Sequence, residues 1–226
     1  MPATVHTVLV LEDEPDLRFL LGQNLAQQGY RVLEAGRVAE ARGLVSPEVG
    51  LFLFDVMLPD GDGFELLREL RGQGVTTPTV FLTAKTAEPD RLLGFAVGGD
   101  DYVTKPFSMA ELMARIGAIL RRGPLVQETY RGPTFWVDFT RYVLHKGEQE
   151  IALTYLESEL LRYLVERPGQ AVDRLELLNQ VWGYDRYPTT RTVDTHVLNL
   201  RRKLEPDPKH PVHLLTVHGV GYKFVG

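Results

Sequence analysis

The sequence contains no cysteine, so disulfide bonds and metal sites built from thiolates are excluded. Residues 1–10 lack the basic stretch and the apolar run of a signal peptide, and no stretch approaches the roughly 18 apolar residues of a transmembrane helix. Internal repeats and low-complexity tracts are also absent. From these absences we expect a soluble, cytoplasmic protein that has no membrane partner.

Length and charge predict two domains of different character. The 226 residues exceed the usual size of one hydrophobic core, so two domains of roughly 100 residues are expected. Residues 1–122 hold 12 basic and 17 acidic side chains, whereas residues 123–226 hold 13 of each. Within the second half, residues 186–223 hold seven basic and three acidic side chains, which is compatible with a local basic face.

Short apolar runs alternate with helical patterns through the first half of the chain. Five runs are predicted to be strands, at residues 7–11, 31–35, 51–54, 79–83 and 101–104. Leucines recur at helical spacing behind Pro15, a favourable residue for the first turn of a helix. This alternation predicts a five-stranded, doubly wound parallel α/β sheet over residues 1–122. In such sheets, ligands bind outside the carboxyl ends of the strands.

The second half has a different pattern. The helical pattern stops near residue 122 and Gly-Pro pairs follow, so we predict a linker at 123–133 and a second domain at 134–226. Strand-like pieces come first, then three helices near 155–166, 173–182 and 190–205, and finally a hairpin at 214–225. This order predicts a smaller α+β domain.

Polar residues stand at the ends of four of the predicted parallel strands. Glu12 and Asp13 follow the first strand, Asp55 the third, Thr83 ends the fourth, and Lys105 follows the fifth. Three carboxylates in one cleft repel one another, and a hard cation such as Mg²⁺ would relieve that repulsion. Asp55 would then be shielded enough to act as a nucleophile towards a phosphoryl group, and Lys105 would add a second positive charge.

The same residues carry a resemblance to a known family. Residues 11–15 (LEDEP), 53–63 (LFDVMLPDGDG), 82–84 (LTA) and 100–107 (DDYVTKPF) resemble the receiver domains of two-component signalling, which have a flavodoxin-like fold. The resemblance implies that Asp55 accepts a phosphoryl group from a sensor histidine kinase. It implies that Mg²⁺ is held by Glu12, Asp13, Asp55 and the carbonyl of Met57. It also implies that Thr83 and Lys105 contact the phosphoryl group and that Tyr102 rotates inward as part of the switch. The Lys105–Pro106 peptide bond is expected to be cis.

The second half resembles another module of the same system. Residues 153–157 (LTYLE), 174–183 (RLELLNQVWG), 191–197 (RTVDTHV) and 216–224 (TVHGVGYKF) are similar to the winged-helix domain of OmpR/PhoB-type response regulators. The resemblance implies a transcription regulator that binds double-stranded DNA, with direct-repeat half-sites. RNA polymerase is a candidate further partner.

The third helix of this half is the expected reader of the DNA major groove. Val193, Val197, Leu200 and Leu204 form an apolar stripe, which leaves the opposite face for bases and phosphates. The residues expected to contact DNA are Arg174, Trp182, Arg191, Thr192, Thr195, Leu198, Asn199, Arg201, Arg202 and the wing residue His218. Several relatives have arginine where this chain has Leu198, Asn199 and His218, so the operator sequence is left open.

Phosphorylation is expected to favour a symmetric receiver dimer, again by resemblance to this subfamily. The contacting elements would be the fourth helix, the fifth strand and the fifth helix of the receiver. We expect ion pairs between Arg91 and Glu111, between Asp101 and Arg115, and between Asp100 and Arg121 or Arg122. The apolar centre would consist of Leu92, Phe95 and Ala114.

Two other functions are weighed against this one. A phosphatase similar to the haloacid dehalogenases also forms an aspartyl phosphate, but it needs a second Asp two residues after the nucleophile, where this chain has Met57. We therefore expect a signalling protein and not an enzyme. A regulator that binds DNA without ever accepting phosphate is the other alternative, and the intact acceptor, metal and switch positions argue against it.

Overall fold

A computed structural model describes residues 6–84, 94, 97–120, 128–182 and 190–226. The chain forms two compact units, Met1–Arg121 and Arg122–Gly226, which we describe separately. Among the described helices, none is both long enough and apolar enough to cross a membrane.

The first unit is built on a parallel sheet. Its strands are β1 (Thr7–Leu11), β2 (Arg31–Ala35), β3 (Val49–Asp55), β6 (Thr79–Thr83) and β7 (Asp101–Thr104). They lie in the order β2-β1-β3-β6-β7, with every pairing parallel. All residues of β1 and β6 are buried, as expected for strands that are covered on both faces. The predicted doubly wound α/β fold is confirmed.

Helices and one small hairpin connect these strands. The described helices are α1 (Pro15–Gln27), α2 (Val38–Leu44), α3 (Gly63–Gly72) and α4 (Met109–Leu120). The hairpin consists of β4 (Met57–Leu58) and β5 (Gly61–Asp62). The carboxylate of Asp62 caps α3 by accepting from the N–H of Phe64 at 2.7 Å.

The second unit begins with an antiparallel sheet and continues with a helical core. The sheet has the order β11-β10-β9-β8 and contains β8 (Thr129–Arg131), β9 (Trp136–Asp138), β10 (Val143–Lys146) and β11 (Gln149–Ala152). The helices are α5 (Tyr155–Val165), α6 (Arg174–Leu177), a π-helical segment (Leu178–Trp182) and α7 (Arg191–Leu204). A three-stranded sheet of order β12-β14-β13 completes the unit, with β12 (Ala171–Asp173), β13 (Leu214–Val217) and β14 (Gly221–Phe224).

Helix α5 begins with a reciprocal cap, which the sequence pattern of Thr154 followed three residues later by Glu157 predicts. Oγ1 of Thr154 accepts from the N–H of Glu157 at 3.3 Å, and the Glu157 carboxylate accepts from the N–H of Thr154 at 2.8 Å. This reciprocal pair satisfies two backbone donors at the start of the helix. The three predicted helices and the final hairpin of the second half are confirmed.

Two short strands of the second unit were not predicted. Strand β8 pairs with β9 and lies inside the range assigned to a linker, so the second unit starts earlier than residue 134. Strand β12 pairs with β14, which is distant in the chain. Each has three residues, too few for a clear alternating pattern, and each is stabilised by partners that local sequence does not specify.

Candidate functional site

Two neighbouring strands bring three carboxylates together at their carboxyl ends. Glu12 and Asp13 follow β1 directly, and Asp55 is the last residue of β3, which pairs with β1 in parallel. Carboxylate oxygens of Glu12, Asp13 and Asp55, which we call the acidic cluster, all lie within 4.8 Å of one another. Glu12 and Asp55 are buried, at 1% and 5% exposure, whereas Asp13 is exposed. The cluster is therefore open to solvent on the side of Asp13.

Lys105 places a positive charge against the acidic cluster. It follows β7, and its backbone N–H donates to the carbonyl of Thr83 at 2.7 Å. Its Nζ lies 2.6 Å from Oδ2 of Asp55 and 2.9 and 2.8 Å from Oε1 and Oε2 of Glu12. The Lys105–Pro106 peptide bond is cis, so that prediction is confirmed. Residues 93 positions apart in the chain thus meet at one edge of the sheet.

Backbone donors hold the carboxylate of Asp55 in place. Oδ1 accepts from the N–H of Val56 at 2.5 Å and from the N–H of Met57 at 3.2 Å, while Oδ2 faces Lys105. The chain approaches Asp55 closely at Gly63, where a Cβ would collide with the Asp55 carbonyl. A glycine is needed at this position because any larger residue would displace the backbone at the end of β3.

Burial and charge act against each other in this cluster. Burial raises the pKa of Glu12, a hydrogen bond from Lys105 opposes that change, and the charge of Asp55 adds to it. Burial lowers the pKa of Lys105, but hydrogen bonds to Asp55 and Glu12 outweigh burial and leave the pKa above its ordinary value. Lys105 therefore stays protonated at neutral pH.

The donors of the acidic cluster suit a hard divalent cation. When all three carboxylates are ionised, they face the single ammonium of Lys105, which leaves an excess of negative charge. Carboxylate oxygens are the ligands that Mg²⁺ prefers, and one exposed ligand leaves room for water in its coordination shell. Residues that could hold the ion are thus present, within reach of the carboxylate of Asp55.

Two further residues predicted for the site, Thr83 and Tyr102, are buried on the neighbouring strands β6 and β7. Thr83 ends β6 and is fully buried. Tyr102 on β7 is 6% exposed, and its ring centroid lies 6.3 Å from that of Phe64 and 6.5 Å from that of Phe81. A Cβ at Gly94 would lie 3.2 Å from Cδ2 of this ring. The Tyr102 side chain is therefore buried in this structure, and its inward rotation on phosphorylation stays a prediction.

Some of the residues predicted for a receiver dimer are buried and paired within the chain, and others are exposed. Arg115 donates to Asp101 at 3.0 Å and to Glu111 at 2.7 Å within the same chain, and Asp101 and Arg115 are both buried. Asp100 is buried and accepts from the N–H of Thr79 at 2.8 Å. The Asp101–Arg115 pair thus forms inside one chain, which differs from the pairing across a two-fold axis that we expected. Glu111 and Ala114 are exposed; Arg91, Leu92, Phe95, Arg121 and Arg122 lie outside the described residues.

Helix α7 buries a wider arc than its apolar stripe predicts. Val193, Val197, Leu200 and Leu204 are at most 1% exposed, which confirms the stripe. Asn199 and Thr192, however, are only 8% and 4% exposed, so they do not lie on the open face where Asn199 was predicted. The reason is that α7 packs against more than one element: it contacts α5, and the ring of His196 lies 4.9 Å from that of Trp182. The exposed residues of α7 predicted for DNA are Arg191, Leu198 and Arg202, with Thr195 half-buried.

Two arginines predicted to contact DNA make hydrogen bonds within the second unit. Nε of Arg174 donates to Oδ1 of Asp194 at 2.8 Å, and the hydroxyl of Tyr222 donates to the same oxygen at 2.6 Å. Arg201 donates to the carbonyl of Leu214 at 2.9 and 2.6 Å and to Oγ1 of Thr216 at 2.8 Å. These contacts connect α6, α7 and the β13–β14 hairpin. Trp182 is 4% exposed, and His218 is exposed in the turn of that hairpin.

Some residues that shape both regions were missed by sequence reasoning. Asp194 and Tyr222 join the elements around α7, and burial with the hydrogen bond to Asp194 raises the pKa of Tyr222 to about 12. Arg18 on α1 donates to the carbonyls of Glu12 and Asp13. One signal pointed to Arg18: side chains in a first helical turn lean towards the N-terminus, and here that direction leads to the acidic cluster. No comparable signal marked Asp194.

Both units match protein families. The family described as "Response regulator receiver domain" matches residues 8–117. The family described as "Transcriptional regulatory protein, C terminal" matches residues 148–224. The first match contains the acidic cluster, and the second contains α7.

Solved structures agree with these family matches. The response regulator DrrB of Thermotoga maritima, described as an OmpR/PhoB homolog, is 31% identical over 98% of this chain and 100% of its own, with a TM-score of 0.52. A mutant of RitR is 29% identical over the same shares, with a TM-score of 0.77. The non-phosphorylated receiver domain of HemR from Leptospira biflexa is 32% identical over 53% of this chain and 97% of its own, with a TM-score of 0.50.

Proposed function

Because this chain belongs to the response regulators of the OmpR/PhoB type, with a receiver domain and a DNA-binding domain, we propose that phosphorylation of Asp55 controls its binding to DNA. The phosphoryl donor is a sensor histidine kinase. The observation that supports this proposal best is the position of Asp55: its carboxylate lies in the acidic cluster and 2.6 Å from Nζ of Lys105. A chromosomal DNA partner implies a cytoplasmic location.

The transfer is a displacement at phosphorus. A carboxylate oxygen of Asp55 attacks, the bond between phosphorus and the donor's histidine nitrogen breaks, and that nitrogen keeps the electron pair and can take up a proton. Glu12, Asp13, Asp55 and the carbonyl of Met57 would hold Mg²⁺, which when bound offsets the repulsion between two anions. Lys105 is positioned to exchange its contact with Asp55 for one with a phosphoryl oxygen.

Thr83 and Tyr102 are proposed to report the modification to the surface. Both side chains are buried, and they lie on neighbouring strands because β6 pairs with β7. A hydrogen bond from the Thr83 hydroxyl to the phosphoryl group would shift the packing around Tyr102 and favour a dimer-competent surface. In that dimer the exposed Glu111 and Ala114 would take part, together with Arg91, Leu92, Phe95 and Arg122. Asp101 and Arg115 would shape the surface from within, since they are already paired.

DNA binding is proposed to rest on α7 and on the β13–β14 hairpin. Arg191 and Arg202 are exposed on α7 and suit contacts to phosphates, while Leu198 and Thr195 suit contacts to bases. His218 would contact the minor groove. The other residues predicted to contact DNA are buried or hydrogen-bonded within the domain, and they would hold α7 and the hairpin in position for these contacts. They are Arg174, Trp182, Thr192, Asn199 and Arg201. Two such domains in a dimer would bind direct-repeat half-sites with a raised effective concentration, with RNA polymerase as a further partner.

The phosphoacceptor is tested with acetyl phosphate and Mg²⁺. Intact-mass measurement should find one phosphoryl group on the wild type and none on Asp55→Asn. A matched control is Asp16→Asn, which makes the same change at an exposed residue in the first turn of α1 and should be modified like the wild type. Modification that persists in Asp55→Asn contradicts the assignment.

The coupling to DNA needs a separate experiment. Selection of bound DNA from a random pool, with and without phosphorylation, reports the operator sequence and the spacing of half-sites together. We expect phosphorylation to enrich paired half-sites. Equal enrichment by both forms would show that the protein binds DNA constitutively.

A further inference from the structure

The loop that carries Glu12 and Asp13 is held by an arginine. Nη1 of Arg18 donates to the carbonyl of Glu12 at 2.5 Å and to that of Asp13 at 3.3 Å. On its other side, the N–H of Glu12 donates to the carbonyl of Ala35 on β2 at 3.0 Å. Both backbone polar groups of Glu12 are therefore bound, one by the edge of the sheet and one by a side chain of α1.

The position of Arg18 follows from where α1 begins. Pro15 is the first residue of the helix, and the backbone N–H of Arg18 donates to the carbonyl of Glu14 at 2.9 Å, so Arg18 lies in the first turn. Side chains of a helix lean towards its N-terminus, which here points at the end of β1. Nη1 of a guanidinium carries two N–H donors, so this one atom can donate to both carbonyls at once.

Two glycines leave the space that this arrangement requires. A Cβ at Gly36 would lie 2.9 Å from Nη1 of Arg18, and a Cβ at Gly22 would collide with the carboxylate of Glu34. Glu34 in turn lies 4.0 Å from Nε of Arg18. The arginine is thus confined between Gly36, Glu34 and the carbonyls of the loop. Larger residues at the glycine positions would push the guanidinium or its carboxylate partner aside.

We propose that Arg18 is a positioning residue of the acidic cluster, which sets the affinity for a divalent cation by holding the Glu12–Asp13 backbone in place. This inference rests on the proposed function, because that function needs the cation. Arg18 would act through the loop and would not touch the cation or the phosphoryl group. Its role is therefore comparable to that of an outer-shell partner that orients the ligands of a metal.

The direction in which the affinity for the cation changes when Arg18 is removed separates this role from a simple effect of charge. A positive charge close to a cation site weakens cation binding by Coulomb repulsion, so removing it should strengthen binding if charge were all that mattered. A group that orients the ligands has the opposite influence, and its removal should weaken binding. Losing an outer-shell partner typically weakens metal affinity by about tenfold or more, which would exceed the gain from removing a partly solvated charge.

The experiment measures Mg²⁺ binding to the full chain by isothermal titration calorimetry. For Arg18→Met we expect the dissociation constant to rise about tenfold, the lower value for loss of an outer-shell partner. Arg18→Lys should remain weaker than the wild type, because it keeps the charge but places its ammonium on a shorter side chain that does not reproduce the position of Nη1. Gly36→Ala should weaken binding by a smaller factor, and it does so without changing any charge, since its Cβ displaces the guanidinium.

Arg31→Met is the matched control. Arg31 begins β2 and pairs with Glu48 at 3.8 Å, and both side chains are exposed. It stands at the opposite end of β2 from the acidic cluster, about 13 Å along the strand. Because exposed charges at such a distance are largely screened, Mg²⁺ affinity should change by less than about twofold.

Two readouts distinguish the inference from a general loss of structure. Hydrogen exchange should speed up for the backbone amides around residues 12–14 in Arg18→Met, with the amides of β3 and β6 unchanged. Phosphorylation by acetyl phosphate should be slow at low Mg²⁺ and return to nearly the wild-type rate at saturating Mg²⁺, because the variant loses affinity and not the acceptor. Unchanged exchange, or a rate that saturating Mg²⁺ does not restore, contradicts the positioning role.

The outcomes also separate this inference from the proposed function. If the wild type binds Mg²⁺ and Arg18→Met binds it equally or more tightly, Arg18 does not position the cluster and the phosphoacceptor proposal is untouched. If the wild type binds no Mg²⁺ at any concentration, the metal site of the proposed function is wrong and the inference is overturned with it.

Discussion

The receiver unit and the DNA-binding unit assemble their polar residues in different ways. In the receiver, Glu12, Asp55 and Lys105 come from different strands and meet because parallel strands end at one edge of the sheet. In the DNA-binding unit, the polar residues around α7 are divided between the open face and internal contacts, as Arg202 and Arg201 illustrate. Topology alone therefore brings the first set of residues together, whereas packing against neighbouring elements determines which residues of the second set stay exposed.

The largest expected effect is at Lys105. Lys105→Met would leave the buried carboxylates of Glu12 and Asp55 without their counter-charge, and we expect the receiver unit to lose about 3 kcal/mol of stability without Mg²⁺. Mg²⁺ should restore part of that loss by replacing the positive charge. Urea unfolding followed by circular dichroism, with and without Mg²⁺, measures both quantities. Arg31→Met is the control, since exposed ion pairs contribute at most about 1 kcal/mol; equal losses in both variants would contradict the comparison.

Tyr222 should show an alkaline dependence that is confined to the DNA-binding unit. Its pKa is raised to about 12, so the folded state holds the proton more tightly than the unfolded state does. Stability from this group is therefore complete below about pH 10 and is lost as the pH rises towards 12, with roughly 1 kcal/mol lost by pH 11. Tyr222→Phe should be destabilised at pH 8 by about 2 kcal/mol, because it loses a hydrogen bond to a carboxylate, and the difference from the wild type should shrink at pH 11.

Tryptophan fluorescence makes that measurement specific. The two tryptophans, Trp136 and Trp182, both lie in the DNA-binding unit, so their emission follows the unfolding of that unit alone. The difference in free energy of unfolding between the wild type and Tyr222→Phe should therefore change from pH 8 to pH 11. A constant difference would show that the contact with Asp194 is unimportant.

Neighbouring arginines on α7 should respond differently to the same substitution. Arg201→Ala removes donors to Leu214 and Thr216 and should destabilise the DNA-binding unit by about 1.5 kcal/mol. Arg202→Ala, at an exposed residue, should leave stability within about 0.5 kcal/mol but reduce the salt dependence of DNA binding by about one phosphate contact. Unfolding by tryptophan fluorescence and binding titrations at several salt concentrations test both. Identical behaviour of the two variants would remove the distinction between open and internal polar residues.

The smallest expected effect concerns a feature that sequence alone predicts. Thr154→Ala removes one half of the reciprocal cap of α5 and should cost the DNA-binding unit about 1 kcal/mol. Thr154→Ser keeps the hydroxyl and should recover most of that stability. If serine and alanine were equally destabilising, the cap would not be the reason for threonine at this position.

The receiver shows how far sequence reasoning extends to a site. The strands could be predicted because their apolar runs are bounded by turn residues, and their ends could be placed side by side because a parallel sheet aligns them. The contact between Lys105 and Glu12 follows from that placement. The role of Arg18 does not, because it depends on the space left by Gly36, which follows β2, and on the position of Glu34, for which Gly22 of α1 leaves room.

The DNA-binding unit shows where such reasoning ends. Helical spacing predicts the buried stripe through Val193 and Val197, but it cannot say how wide the buried arc is. Asn199 was predicted to be open because spacing treats a helix as having one covered side. Packing against more than one neighbour covers it instead.

Sequence alone predicts the five strands of the parallel sheet, the convergence of the acidic cluster with Lys105, the reciprocal cap of α5 and the buried stripe of α7. These properties depend on local periodicity and on the direction of parallel strands. Which charged side chains form internal contacts depends on the folded arrangement, as Arg115, Arg174 and Arg201 show. The reason is physical: a charged side chain pairs with whatever acceptor the fold brings within about 3 Å, and the acceptors of these three arginines include ones 14, 20 and 13 positions away in the chain.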